Sequence, residues 1–302
     1  MLMELALESR APEAAVYFLT GGTQANATVI DALLPVYQGV IAAETGHIGT
    51  HEAGAIEHGG HKVLALPHSH GKLSAGDIAA YCHRFFSDGN REHMVEPGMV
   101  YLSQPTEYGT LYKKAELIAI SQVCREYGMA LYVDGARLAY ALSCPENDVS
   151  LPDLASYCDI FYIGGTKCGA LLGEAVVVPD PALLPRFFTL IKQQGALLAK
   201  GRLLGIQFQR LFLDGLYLRI GRSAVEYAGR IRRALEEKGY EIPIPSPTNQ
   251  VFVTLTEEKL AVLSEHVEMS FWERPDPAHT VMRICTSWAT TEADVDRLIA
   301  LL

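Results

Sequence analysis

ALYVDGARLAYA, residues 130–141, is the stretch that decides the fold. From Ala130 to Val133 no position is charged, so both faces of this short run are suited to burial. Strands of that kind belong to sheets covered by helices on either side. The run stops at Asp134, with Gly135 and Arg137 just beyond it. In open α/β sheets ligands collect at the carboxyl ends of the strands, so this acid stands where a site is expected. A carboxylate there can serve as a metal ligand, a general base, a helix cap or the partner of a cationic ring nitrogen.

Working outward, the same design recurs. DIFYIGGTKCGA, residues 159–170, is another buried run, followed by a glycine pair and then Lys167. FLTGGTQANATVI, residues 18–30, leads from a strand through Gly21, Gly22 and Thr23 into a helix opening near Gln24. A helix start rich in glycine offers unpaired N–H groups and a positive dipole end to an anion, although a tight turn needing glycine has the same sequence. Further strands are expected at 15–19, 40–44, 61–66, 99–103 and 174–178, and helices at 24–36, 75–86 and 114–127. The fold class is therefore α/β, with a large, mostly parallel sheet.

Beyond 178 the pattern changes to long helical stretches, roughly 181–192, 196–215 and 220–238, then strand candidates in NQVFVTL and TVMRICT. The expected division is a large α/β domain over 1–219 and a small C-terminal α+β domain over 220–302. Pro243, Pro245 and Pro247 predict an extended stretch within the latter.

Composition narrows the partners. The chain has 302 residues, 49% hydrophobic and 20% charged, as a globular protein has. A net charge of −10 presents the wrong field to a phosphate backbone, so no nucleic-acid partner is expected. No apolar run is long enough to cross a bilayer, and the opening MLMELALESRAPEA has acids and a helical pattern where a secretion signal has a basic start. Six dispersed cysteines without a CxxC pair read as reduced thiols, and a cytoplasmic location is expected.

A buried lysine amine near a cationic centre loses its proton readily and becomes a nucleophile able to form a Schiff base, whereas a lone lysine is usually a solvated charge. Taken together, an anion cradle, an Asp and a Lys, each just past a strand, are what pyridoxal 5′-phosphate (PLP) requires: a phosphate site, a carboxylate for the pyridine nitrogen and an amine for the aldehyde.

With these segments the chain resembles the threonine aldolase and β-eliminating lyase family of fold-type-I PLP enzymes, a PLP-dependent-transferase-like fold. The resemblance rests on GGTQAN (21–26), ETGHIGTHEAGAIE (44–57), VDGARL (133–138) and GGTKCGA (164–170), with RICTSWATTEADVDRLI (283–299) behind them. It implies Lys167 as the cofactor lysine, His47 stacked on the pyridine ring, Gly22, Thr23 and Gln24 at the phosphate, and Asp134 at the ring nitrogen. It implies Arg283 and Arg137 on the substrate carboxylate, with Arg137 also near the cofactor. A guanidinium suits that task because it forks onto a carboxylate through two parallel bonds, while an ion pair on a C-terminal strand is the plainer reading of Arg283. Thr106, in LSQPTEYGT, is a further candidate cofactor contact.

Two departures accompany the resemblance. Glu107 stands where related aldolases often place a histidine beside the substrate hydroxyl, and several dozen residues that bring a serine to the carboxylate would be expected before Met1. The implied activity is a carbon–carbon lyase cleaving L-threonine or a related β-hydroxy-α-amino acid to glycine and an aldehyde. His47, His51, Glu107 or a water between them would take the hydroxyl proton. The alternatives are β-elimination or transamination on the same scaffold, metal hydrolysis through pairs such as His47/His51 and His58/His61, and a non-catalytic subunit. No metal is expected. The partners implied are a small amino-acid substrate and a second copy of the chain, in a homodimer or homotetramer sharing its active sites. KGRLLGIQFQRLF (200–212) is a candidate for that interface or an ordinary core helix.

Overall fold

A computed structural model describes the protein over residues 14–302. The expected helical pattern before residue 14 lies outside the described residues. All seven expected strands form, and they join into one sheet in the order β1-β7-β6-β5-β4-β2-β3. These are β1 (Ala15–Leu19), β2 (Gln38–Ala43), β3 (Val63–Leu66), β4 (Glu96–Ser103), β5 (Ala130–Asp134), β6 (Ile160–Gly164) and β7 (Glu174–Val178). From β3 to β6 every pairing is parallel, while β7 runs antiparallel to both β6 and β1.

The alternation of the strands explains the layers. Val40, Ala42, Met99, Tyr101, Tyr132 and Val176 point into one core. Their neighbours Ile41, Ala43, Val100, Leu102, Val133 and Val177 point into the other. Each fully buried large side chain contributes roughly 1.5–3 kcal/mol, and the two-sided burial commits these runs to a central sheet. Helices Gly22–Leu33, Ala75–Ser87 and Lys114–Glu126 form where the 3.6-residue period predicts them.

The second half departs from expectation in three places. The stretch 181–192 is not one helix. Pro185 disfavours helical backbone at Leu184 (φ −129°, ψ 64°), so a short 3-10 turn at Pro181–Leu183 is followed by a separate helix, Phe187–Gln193. The stretch 196–215 is α-helical only over Arg202–Phe212, and a 3-10 turn at Leu213–Gly215 with left-handed backbone at Asp214 and Gly215 separates it from the next helix, Leu216–Glu237. The third departure is an additional strand, β9 (Ser270–Asp276), pairing with β10 (His279–Cys285), which in turn pairs with β8 (Gln250–Thr256). It is an exposed edge strand carrying charges and Pro275, so it lacks the apolar alternation that marks the others.

Helix Leu216–Glu237 serves two cores. Tyr217, Ala224 and Val225 pack with the large sheet, whereas Ala228, Ile231 and Leu235 pack with Val251, Val253, Met282 and Ile284 of the small one. The division near residue 220 falls on this helix, and limited proteolysis is the test of that proposed boundary. Among the described residues no helix is long and apolar enough to cross a membrane. The six cysteines are free, five of them buried.

Candidate active site

Parallel strands put their carboxyl ends on one rim, and the loops leaving those ends build the site. β2 leads to His47, β4 to Glu107, β5 to Asp134 and Arg137, and β6 to Lys167. Together with His51, Thr106 and Arg283 from β10, these side chains line a cavity of about 260 Å³. Gly22, Thr23 and Gln24 are not among its lining residues. They open the helix after β1, whose first intrahelical bond runs from Ala25 N–H to Gly21 O. The N–H groups ahead of it have no place in the helical ladder, and no side chain caps the helix. The Gln24 side chain is turned back instead, its Oε1 accepting from Thr20 N–H and Oγ1–H at 3.0 and 2.9 Å.

Asp134 is buried and accepts three hydrogen bonds. Tyr101 O–H and Asn26 Nδ2–H donate to Oδ2 at 2.6 and 3.1 Å, and Ala136 N–H donates to Oδ1 at 2.9 Å. Asn26 Nδ2 also donates to Glu52 Oε1 at 2.7 Å, and His47 Nδ1 lies 2.7 Å from that same oxygen. One network thus runs from the acid behind β5 to the imidazole after β2. Its members Asn26, Glu52 and Tyr101 were not singled out from sequence. Asn26 and Glu52 lie inside the motifs GGTQAN and ETGHIGTHEAGAIE, but only the fold gives them partners.

Glu107 is also buried. Ser103 O–H donates to its Oε1 at 2.6 Å and His47 N–H at 3.1 Å. Burial raises its pKa above the usual carboxylate range, against the opposing effect of the Ser103 hydrogen bond, and nearby Asp134 adds to the rise. Thr106 lines the cavity with its hydroxyl committed to Thr110 Oγ1 at 2.7 Å. His51 has a lowered pKa, through burial first and then through His47, whose ring centroid is 5.6 Å away.

Burial lowers the pKa of Lys167, and the Arg137 guanidinium lowers it further, both favouring the uncharged amine. The turn that carries it is tied down on two sides, with Tyr140 O–H donating to Lys167 O and Tyr217 O–H donating to Gly164 O at 2.9 Å. Arg283 lies with its guanidinium carbon 5.3 Å from the centre of the Trp272 ring, and Nη1–H donates to Gln250 Oε1 at 3.3 Å. Its Nε is buried with no partner among the described residues. The plainer reading of Arg283, a surface ion pair, does not describe this setting: the residue lines the cavity, and no acid lies within ion-pair distance among the described residues.

A family model described as beta-eliminating lyase matches residues 3–258. The chain belongs to the beta-eliminating lyase family. Among curated relatives, the low specificity L-threonine aldolase of Pseudomonas sp. (strain NCIMB 10558) is 32% identical over 291 residues, covering 94% of this chain and 81% of the relative. That of Pseudomonas aeruginosa is 34% identical over 82% of this chain and 71% of its own length. A solved structure of Leishmania major threonine aldolase is similar at a TM-score of 0.95 and 43% identity, covering 99% of this chain and 86% of that one. Sphingomonas wittichii serine palmitoyltransferase, at a TM-score of 0.71 and 15% identity, shares the fold alone over 99% of this chain and 73% of its own. The architecture of this beta-eliminating lyase family member is fold type I of the PLP enzymes, as the resemblance implies. Among the described residues no group of three or more His, Cys, Asp or Glu side chains has a metal-holding arrangement.

Proposed function

We propose that the chain is a PLP-dependent aldolase that cleaves L-threonine or a related β-hydroxy-α-amino acid to glycine and an aldehyde. The observation that carries this reading is the single cavity lined by Lys167, Asp134, His47, Arg137 and Arg283, in a chain similar to L-threonine aldolases.

The residues present fit the cofactor. Asp134 accepts three hydrogen bonds, and a carboxylate has about four lone-pair positions, which leaves one for a ring N–H. Gly22, Thr23 and Gln24 would take the phosphate at the uncapped helix start, where a Cβ on Gly21 would meet nothing within 4 Å. His47, oriented by Glu52, would lie on the ring face. Bound there, PLP supplies an aldehyde for an amine and an electron-accepting ring beside the substrate α-carbon.

The chain's own groups do the rest. Arg283 and Arg137 hold the substrate carboxylate, and Arg283 is kept in line by the Trp272 ring beneath it. Glu107 receives the β-hydroxyl proton on Oε2, since Oε1 already accepts from Ser103 and from His47 N–H. A carboxylate pushed up by burial is a stronger base than an exposed one. His51 is the second candidate for that proton. β-Elimination or transamination on the same scaffold remains the competing chemistry, because a fold does not fix a reaction.

Exposed apolar side chains go with a second subunit. Leu203 and Ile206, 51% and 55% exposed, stand on helix Arg202–Phe212, and Leu171, 87% exposed, follows the Lys167 turn. Leu171 N–H donates to Gln207 Oε1 of that helix. A homodimer or homotetramer would cover them, which sedimentation equilibrium tests. Five buried free thiols suit a cytoplasmic location.

The first experiment is an absorbance spectrum with PLP added, before and after borohydride, for the wild type and Lys167→Ala. The reading expects a visible band that borohydride fixes to the Lys167 peptide and that the variant lacks. A wild type without a band sinks it. Product analysis then separates the reactions, glycine and an aldehyde against ammonia and a keto acid.

A further inference from the structure

Glu174 opens β7 and is not among the residues lining the cavity. Its side chain is 4% exposed, and in the strand register it stands opposite Leu19 of β1 and Gly164 of β6. The antiparallel return of β7 thereby places an acid at the same rim as the loops of the site. Gly165 N–H, two residues before Lys167, donates to Glu174 Oε2 at 2.9 Å, and the Thr166 hydroxyl is beside the same carboxyl. Glu174 is the acceptor recorded for the Gly165 N–H among the described residues, and the chain is crowded there. A Cβ on Gly165 would lie 2.5 Å from the carbonyl of Gly173. A carboxyl group inside a protein costs stability unless it is matched by a charge, and among the described residues Glu174 has no ion pair. An amide would satisfy Gly165 equally well at that position.

We propose that Glu174 is a positioning residue for Lys167, holding the backbone of the lysine turn through Gly165 and setting, by its charge, how readily the Lys167 amine gives up its proton. The inference rests on the reading of Lys167 as the reactive amine.

The charged surroundings are mixed. Lys167 is faced by Arg137 and Arg283, which disfavour its ammonium, and by Asp134 and Glu174, which favour it. His51 is near enough to be affected by Lys167. Around Glu174 are Asp134 and Lys167 themselves, with the buried phenols of Tyr132, Tyr162 and Tyr217 and the thiol of Cys168. Of these, Glu174 alone joins the lysine turn through both its charge and a backbone hydrogen bond. Burial raises its own pKa to about 7, so its charge changes near neutral pH.

The test uses the full chain without added cofactor, labelled with limiting acetic anhydride over a range of pH, with acylation of Lys167 followed by peptide mass spectrometry. In Glu174→Gln the hydrogen-bond acceptor is kept and the charge is lost. The midpoint for Lys167 labelling is expected to fall by half a pH unit or more, with circular dichroism unchanged. A midpoint within 0.2 units of wild type overturns the proposal. Should the variant not fold, the wild-type curve decides, because ionisation of Glu174 adds an inflection near pH 7 that a solitary lysine lacks. A single-step curve then overturns it. The cofactor band is measured separately, so a protein lacking the band but showing the midpoint shift refutes the aldolase reading while Glu174 keeps its role, and the converse result does the reverse.

Discussion

Asn26 Nδ2 donates a hydrogen bond to Asp134 Oδ2 at 3.1 Å across 108 residues of chain. The same nitrogen donates to Glu52 Oε1 at 2.7 Å, so one amide stands between two buried carboxylates. Tyr132 O–H completes the amide by donating to Asn26 Oδ1 at 2.8 Å. The helix after β1 and the acid that ends β5 are therefore held in register by a side chain, independently of any ligand.

Replacing Asn26 by Ala leaves Asp134 and Glu52 facing each other without their shared donor. A buried charged acceptor losing its partner costs about 2–4 kcal/mol. Urea unfolding of the cofactor-free Asn26→Ala variant should show a loss of that order, together with weaker PLP binding. A loss below about 0.5 kcal/mol would mean that water substitutes freely for the amide.

Glu107 should set the acidic limb of the pH profile. Its basic form is the carboxylate, and burial raises its pKa, so activity is lost as pH falls through a value above the ordinary carboxylate range. Glu107→Gln is expected to lower kcat/KM by about 100-fold and to remove that limb. If the limb stays where it was, another group takes the proton, and His51→Asn becomes the next variant.

Arg283 should report in KM. Lysine at this position keeps the charge but loses the planar fork, so Arg283→Lys should raise KM for the amino acid by about 10- to 100-fold and leave the cofactor band intact. Because the guanidinium lies 5.3 Å from the Trp272 ring centre, glycine binding to the wild type should also shift tryptophan emission, and Trp272→Phe should abolish most of that change. An unchanged KM in Arg283→Lys would remove Arg283 from the carboxylate site.

Glu174 has a pH-dependent effect on stability with a definite sign. Its pKa when folded is about 7 against 4.5 when unfolded, so between those values the folded state binds more protons and wild-type stability falls as pH rises. The ceiling is about 3 kcal/mol, since each tenfold change in proton affinity is worth about 1.4 kcal/mol. Glu174→Gln escapes this loss, so its stability relative to wild type should improve from pH 4.5 to pH 8 in paired urea titrations. A difference independent of pH would show that Glu174 has the same proton affinity folded and unfolded, and so does not feel its burial.

The sequence by itself determined the sheet and where its chemistry gathers. Uncharged runs such as Leu131–Val133 are fully buried whatever the details of packing, and a residue placed just past such a run, like Asp134 or Lys167, must lie at the sheet's carboxyl rim. These are local consequences of hydrophobicity and parallel topology. Only the tertiary structure decided what surrounds them. Asn26 looks like an ordinary polar residue in a helix's first turns, Glu52 like loop, and Glu174 like the first residue of a strand, until distant segments are brought together. β9 escaped notice because an exposed edge strand has no apolar face to mark it, and the helices beyond 178 broke where Pro185, Asp214 and Gly215 impose backbone that periodicity does not register. Periodic burial is written along the chain, whereas a hydrogen bond between residues 108 positions apart exists only after the layers have closed.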